Sequence, residues 1–176
     1  MTDIRRIARL SGWLYWTATL LAYALPLTVI IAILRGLFDP ATLLLEYPML
    51  DAGTPVSAFQ GTLVAGIAVV AVLPMIAAFL AMGRLFDRYR RGEVLSDGSA
   101  DDILRTGRAM LFVAAATVLV PTFQLLVLSW NTPARSLQVG FDGGTLGFVL
   151  SAGLLTVIGW AMREAAAVKA ENEGFV

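Results

Sequence analysis

The stretch AFQGTLVAGIAVVAVLPMIAAFLAMG, residues 58–83, contains no charged residue, and it runs straight into RLFDRYRR, residues 84–91, where five of eight side chains are charged. A run of that length, apolar throughout rather than at every second position, reads as a helix crossing a bilayer. About 20 apolar residues cover the roughly 30 Å of hydrocarbon, and a helix satisfies its own backbone amides where no water can. The abrupt charge at Arg84 marks where the chain leaves the apolar layer.

Three more stretches without a charge flank this one: Leu10 to Leu34, Ala109 to Ala134 and Gly143 to Met162. Spans are therefore expected at 12–34, 58–83, 108–130 and 145–163, the second continuing as a charged helix to 91. Outer loops follow at 35–57 and 131–144, an inner loop at 92–107 and a tail at 164–176. The expected fold is an all-α integral membrane protein, one membrane domain built as a four-transmembrane-helix bundle. Composition agrees: 58% hydrophobic, 15% charged and a mean hydropathy of +0.77 are too apolar for a soluble domain of 176 residues. Arg5, Arg6 and Arg9 before an apolar run, with Ala22-Tyr23-Ala24 after it, resemble a signal peptide. The apolar run continues to Leu34, however, which favours a retained span.

The thirteen basic and thirteen acidic residues cancel, so direct binding to nucleic acid is not expected, and the information lies in their distribution. Three basic residues precede span one, six lie between spans two and three, and two follow span four; Arg35 and Arg135 stand alone in the other two loops. Eleven against two places both termini and the central hairpin in the cytoplasm by the positive-inside rule. Trp13, Trp16 and Trp160 near the inner ends and Trp130 at an outer end fit as interfacial anchors.

The absence of cysteine and histidine removes thiol redox chemistry, disulfides, lipidated cysteine and the usual metal ligands and proton shuttles. No Asp, Glu, Lys or Arg lies deep in a span, which argues against a proton-coupled carrier. Catalysis and cofactors are not expected. Pro26, Pro74 and Pro121 fall inside spans and invite kinks. Small residues at Gly61, Ala65 and Gly66, at Ala77, Ala78 and Ala81, and at Gly147, Ser151 and Gly159 suggest close helix contacts. Outside the spans, Asp39-Pro40 reads as the start of a short outer helix. Leu137 to Phe141 alternates like a short extended piece before a turn at Asp142-Gly143-Gly144.

The most distinctive segment is the charged one. Past Arg84, Phe86, Asp87, Arg88, Tyr89, Arg90 and Arg91 the helix is expected to stop at Gly92, with Glu93 and Ser96 in the turn. Ser99, with Asp102 three residues on, reads as a capping-box variant that starts the next helix. Asp87 and Arg91 form a favourable i,i+4 pair, though one worth only a few tenths of a kcal/mol, so stability does not obviously explain so many arginines. Anionic lipid contact and protein docking both would. The tail is expected to stay helical to about Glu173 and to stop at Gly174, leaving Phe175-Val176 as an apolar tip.

Phe86, then Gly92-Glu93-Val94-Leu95-Ser96, then Ile103-Leu104-Arg105-Thr106-Gly107, together with the ending Glu171-Asn172-Glu173-Gly174-Phe175-Val176, resemble the bacterial membrane family called domain of unknown function 2975. The resemblance implies a four-helix membrane protein, often encoded beside a small helix-turn-helix regulator of the Cro type. The leading expectation is a non-catalytic regulatory or anchoring protein, with a docking surface formed by the hairpin from Arg84 to Ser96 and the tail from Glu171 to Val176. The alternative is a small-molecule or lipid binder, or a subunit of an oligomeric transporter, with an intramembrane polar pocket at Gln60 and Gln124. Four spans are few for a carrier, so that reading calls for a homo-oligomer.

Overall fold

The computed structural model describes residues 2–38, 44, 47, 50, 54–94, 96–132, 139–140 and 143–173, and the side chains of these except at helix ends 2–8, 37–38 and 172–173. Its regular elements are four helices: α1 Thr2–Phe38, α2 Ala58–Arg90, α3 Asp97–Leu128 and α4 Gly143–Glu173. All four are long and apolar enough to cross a membrane, and no strand occurs among the described residues. The chain is thus an all-helical, multi-pass membrane protein. At about 1.5 Å per residue, the 33 residues of α2 extend about 50 Å, well beyond a hydrocarbon core of about 30 Å. The charged segment, residues 84–90, supplies about 10 Å of that excess.

Each helix packs antiparallel on the next in sequence: α1 on α2, α2 on α3, and α3 on α4. The antiparallel sense follows from contacts at the ends: Arg90 of α2 lies over the Tyr15 ring of α1, Gln60 of α2 bonds to Leu128 of α3, and Arg163 of α4 pairs with Asp101 of α3. The start of α1, the α2–α3 hairpin and the end of α4 therefore share one end of the molecule. Among the described residues no contact joins α1 to α4, so the helices form an open row, where the expected bundle would have brought the first and last together. Many large apolar side chains face outward, the four tryptophans included. In hydrocarbon this is no penalty, because lipid tails cover leucine as well as another leucine does.

Where helices do meet, small residues allow it. On α4 the buried positions are Thr145, Ala152, Gly159 and Ala166, one every seven residues; α3 answers with Ala100, Gly107 and Ala114 at the same interval. A seven-residue repeat keeps one stripe facing a partner helix. At Gly107 an added Cβ would lie 2.9 Å from the Thr156 backbone nitrogen and 3.1 Å from the Ala152 carbonyl oxygen. At Gly159 it would lie 3.0 Å from the Leu104 nitrogen. Of the expected small-residue contacts, Ala78, Ala81 and Gly159 are buried, while Gly61, Gly66 and Gly147 have no neighbour within 4 Å of such a Cβ and Ser151 is exposed. Of the expected glycines Gly159 lies at a contact and Gly61, Gly66 and Gly147 do not; on α4 the contact stripe repeats every seven residues, an interval that Gly147 and Ser151 do not share with Gly159.

α1, α2 and α3 run unbroken through Pro26, Pro74 and Pro121. Of the expected short helix after α1, Leu44 is helical; Asp39 and Pro40 lie outside the described residues, as do Leu137, Gln138, Phe141 and Asp142 of the expected extended piece and turn before α4. Leu44 and Leu50, with Tyr47 packed against them, join Val64, Leu125 and Leu128 in a buried apolar cluster, so this part of the loop covers the junction of α2 and α3.

Candidate functional site

The hairpin between α2 and α3 concentrates the polar structure of the molecule. α2 stops as expected at Gly92, whose φ of +85° suits a residue without a Cβ. The Gly92 amide donates to the Tyr89 carbonyl at 3.1 Å and the Glu93 amide to the Arg88 carbonyl at 3.0 Å, the paired closure of a Schellman motif. The start of α3 differs from expectation. Its cap is Ser96, whose hydroxyl accepts the Ser99 amide at 3.2 Å. Ser99 lies inside the first turn, fully buried, and its own hydroxyl donates to the Glu93 carbonyl at 2.6 Å. Both serines fit the local pattern of a cap, and the tight turn at Gly92 decides between them by bringing Glu93 over Ser99.

Asp102 consequently has another task. It is 2% exposed and accepts the Arg84 Nε–H at 3.1 Å on Oδ1 and the Arg88 Nε–H at 3.0 Å on Oδ2. Arg84 and Arg88 are one helical turn apart, so both reach across from α2 to the same carboxylate. Arg88 also approaches Glu93 at 3.7 Å. Its guanidinium lies where a side chain at Gly98 would project, within 2.5 Å at Cζ. Asp87 pairs with Arg90 at 2.7 Å and with Arg91, and Arg90 lies 5.3 Å from the Tyr15 ring centroid on α1. The arginine density therefore has a structural explanation that the linear sequence hides: two guanidinium groups neutralise a buried carboxylate, and a third ties α1 to α2.

Phe86 and Tyr89 are half-buried, and burial pushes the Tyr89 phenol up from its ordinary value. Arg91, Gly92 and Glu93 are exposed at the turn, and Ser96 is half-buried beneath it. On α4, Arg163 pairs with Asp101, whose carboxyl is held below the ordinary range, chiefly by that hydrogen bond. Glu171 is exposed near the end of α4, and Asn172 and Glu173 complete the helix. Gly174, Phe175 and Val176 lie outside the described residues.

At the opposite end, Gln60 and Gln124 are brought to the same helix pair and act as braces. Gln60, 4% exposed, closes its own helix by accepting the Ser57 amide at 2.9 Å, while its Nε2 donates to the Val127 and Leu128 carbonyls at 2.9 and 3.4 Å. One amide thus ties the start of α2 to the end of α3. Gln124 accepts the Tyr47 hydroxyl at 2.6 Å and donates to the Val64 carbonyl at 3.3 Å. Among the described residues no buried side-chain nitrogen or oxygen lacks a partner.

Sequence reasoning missed Asp102 as the centre of the hairpin; its spacing of three from Ser99 pointed to a cap. The available signal was an acid within the α3 arm facing two arginines four apart in the α2 arm. No curated protein and no solved structure matches the chain. A family model matches residues 10–175, nearly the whole length, and the chain belongs to the family described as protein of unknown function DUF2975.

Proposed function

We propose that this chain is a non-catalytic regulator of the bacterial inner membrane, with both termini and the α2–α3 hairpin in the cytoplasm, and that the hairpin docks a small helix-turn-helix transcription regulator and keeps it from its operator. The clamped hairpin carries this reading. Asp102 and its two arginines, the Schellman turn at Gly92 and the Ser96 cap hold the charged end of α2 in one arrangement before any partner arrives. Preorganisation of that kind lowers the entropy lost on binding. Arg91 remains 62% exposed at the tip, and such charges set encounter rate and partner choice. The distribution of basic residues, eleven against two, supports the orientation.

The reading of a pocket at Gln60 and Gln124, for a small molecule, a lipid or a transported substrate, has less support, because both amides already bond within the helix pair. The test of docking is co-purification from membranes in mild detergent, comparing wild type with R90E/R91E, which leaves the Asp102 clamp in place. A helix-turn-helix protein should accompany the wild type and fall by about tenfold with the variant at equal membrane abundance. Identical partners in both samples, or none in either, would remove the proposal.

A further inference from the structure

Besides Arg84 and Arg88 of the Asp102 clamp and Arg90 and Arg91, which pair with Asp87, three further arginines lie at this end, on α3 and α4. Arg105 and Arg108 are exposed on α3, and Arg163 on α4 reaches across to Asp101. Asp101, Arg105 and Arg108 are spaced by four and three, so they lie along one face of α3. The charges acting on Asp101 are those of Arg163, Arg105 and Arg108. One carboxylate among three guanidinium groups leaves two positive charges without a counter-charge in the cluster.

The height of the cluster identifies what it meets. Arg108 is the last charge before the uncharged length that starts at Ala109, and Arg163 is the first after the one that ends at Met162. Both therefore sit where apolar helix gives way to polar helix, at the level of lipid phosphates. Towards the apolar side, each has an exposed aromatic on its own helix: Phe112 four residues from Arg108, 67% exposed, and Trp160 three residues from Arg163, 57% exposed. Charge above and aromatic surface below match a headgroup above its acyl chains. A soluble partner would have no use for the lower half.

We propose that Arg105, Arg108 and Arg163, at the junction of α3 and α4, bind the headgroup of a dianionic phospholipid, its two phosphates taking up the two excess charges while its chains lie along Phe112 and Trp160. Asp101 pairs with Arg163 across the two helices and lowers the positive charge on offer, so it opposes the lipid rather than binding it.

The full chain, purified in mild detergent, is titrated with cardiolipin or with phosphatidylethanolamine, and retained lipid is counted by native mass spectrometry. Wild type should retain cardiolipin about tenfold over phosphatidylethanolamine. R105Q/R108Q, which keeps the Arg163–Asp101 pair, should lose that preference, and R91Q, at the distant turn, should keep it. D101N should retain cardiolipin at least as well as wild type. Equal retention of the two lipids by wild type would overturn the site. So would a loss in R91Q as large as in R105Q/R108Q, or a drop in D101N.

Discussion

Asp102 of α3 accepts a 3.0 Å hydrogen bond from Arg88 of α2, and at 2% exposure that carboxylate depends on α2 for its neutrality. Arg84 supplies the second cation at 3.1 Å. Either arginine alone leaves one partner in place, so R84M or R88M should each cost about 1 kcal/mol, the arginines being themselves half-exposed. R84M/R88M strands a buried charge and should cost about 3 kcal/mol, more than the singles together. Unfolding of the four forms in mixed detergent micelles measures this, and strictly additive losses would contradict a shared clamp.

Gly107 and Gly147 make opposite forecasts for the same substitution. At Gly107 a methyl group meets the backbone of α4 at Thr156 and Ala152, so G107A should push α3 and α4 apart and cost about 1–3 kcal/mol. G147A meets nothing within 4 Å and should change stability by less than about 0.5 kcal/mol. Thermal denaturation of the pair in one detergent distinguishes them.

Gln60 acts as acceptor for α2 and donor for α3 with a single side chain. Q60L removes both roles and should cost about 1–3 kcal/mol. Q60E keeps the acceptor but turns a carboxylate towards the Val127 and Leu128 carbonyls, and should be the less stable of the two. Hydrogen exchange should show the first turn of α2 and the last turn of α3 losing protection together.

Asp101 should titrate below an ordinary aspartate. The Arg163 hydrogen bond is the main cause; slight burial opposes it, and the charges of Arg163, Arg105 and Arg108 add to it. A depressed folded value means that the pair's stabilisation is complete above the unfolded value of about 3.9 and is lost as pH falls through the lower folded value. Carbon-13 NMR of the aspartate carboxyls should show the Asp101 titration moving upward in R163Q.

Much of this architecture was legible in one dimension. Four uncharged runs set the number of long helices, and Gly92 was readable as a stop because positive φ is a property of one residue and its neighbours. The candidate hairpin was found by its charge density, but its working parts were not. Ser99 and Asp102 carry the local signature of a cap, and only the approach of Glu93 and of two arginines from another helix gives them different tasks.

Hydropathy, charge and turn chemistry depend on a residue and its near neighbours, so the 176 residues alone suffice for four long apolar helices and for the stop of α2 at Gly92, but not for the start of α3. Which glycines lie at contacts, which arginines share a carboxylate and whether α1 meets α4 depend on rotations and separations between helices. In a bilayer an apolar face is equally well covered by lipid or by protein, so apolar pattern cannot choose between a closed bundle and an open row. That choice belongs to the close contacts of Gly107 and Gly159, the Gln60 brace and the Asp102 clamp, which exist only once the helices are side by side.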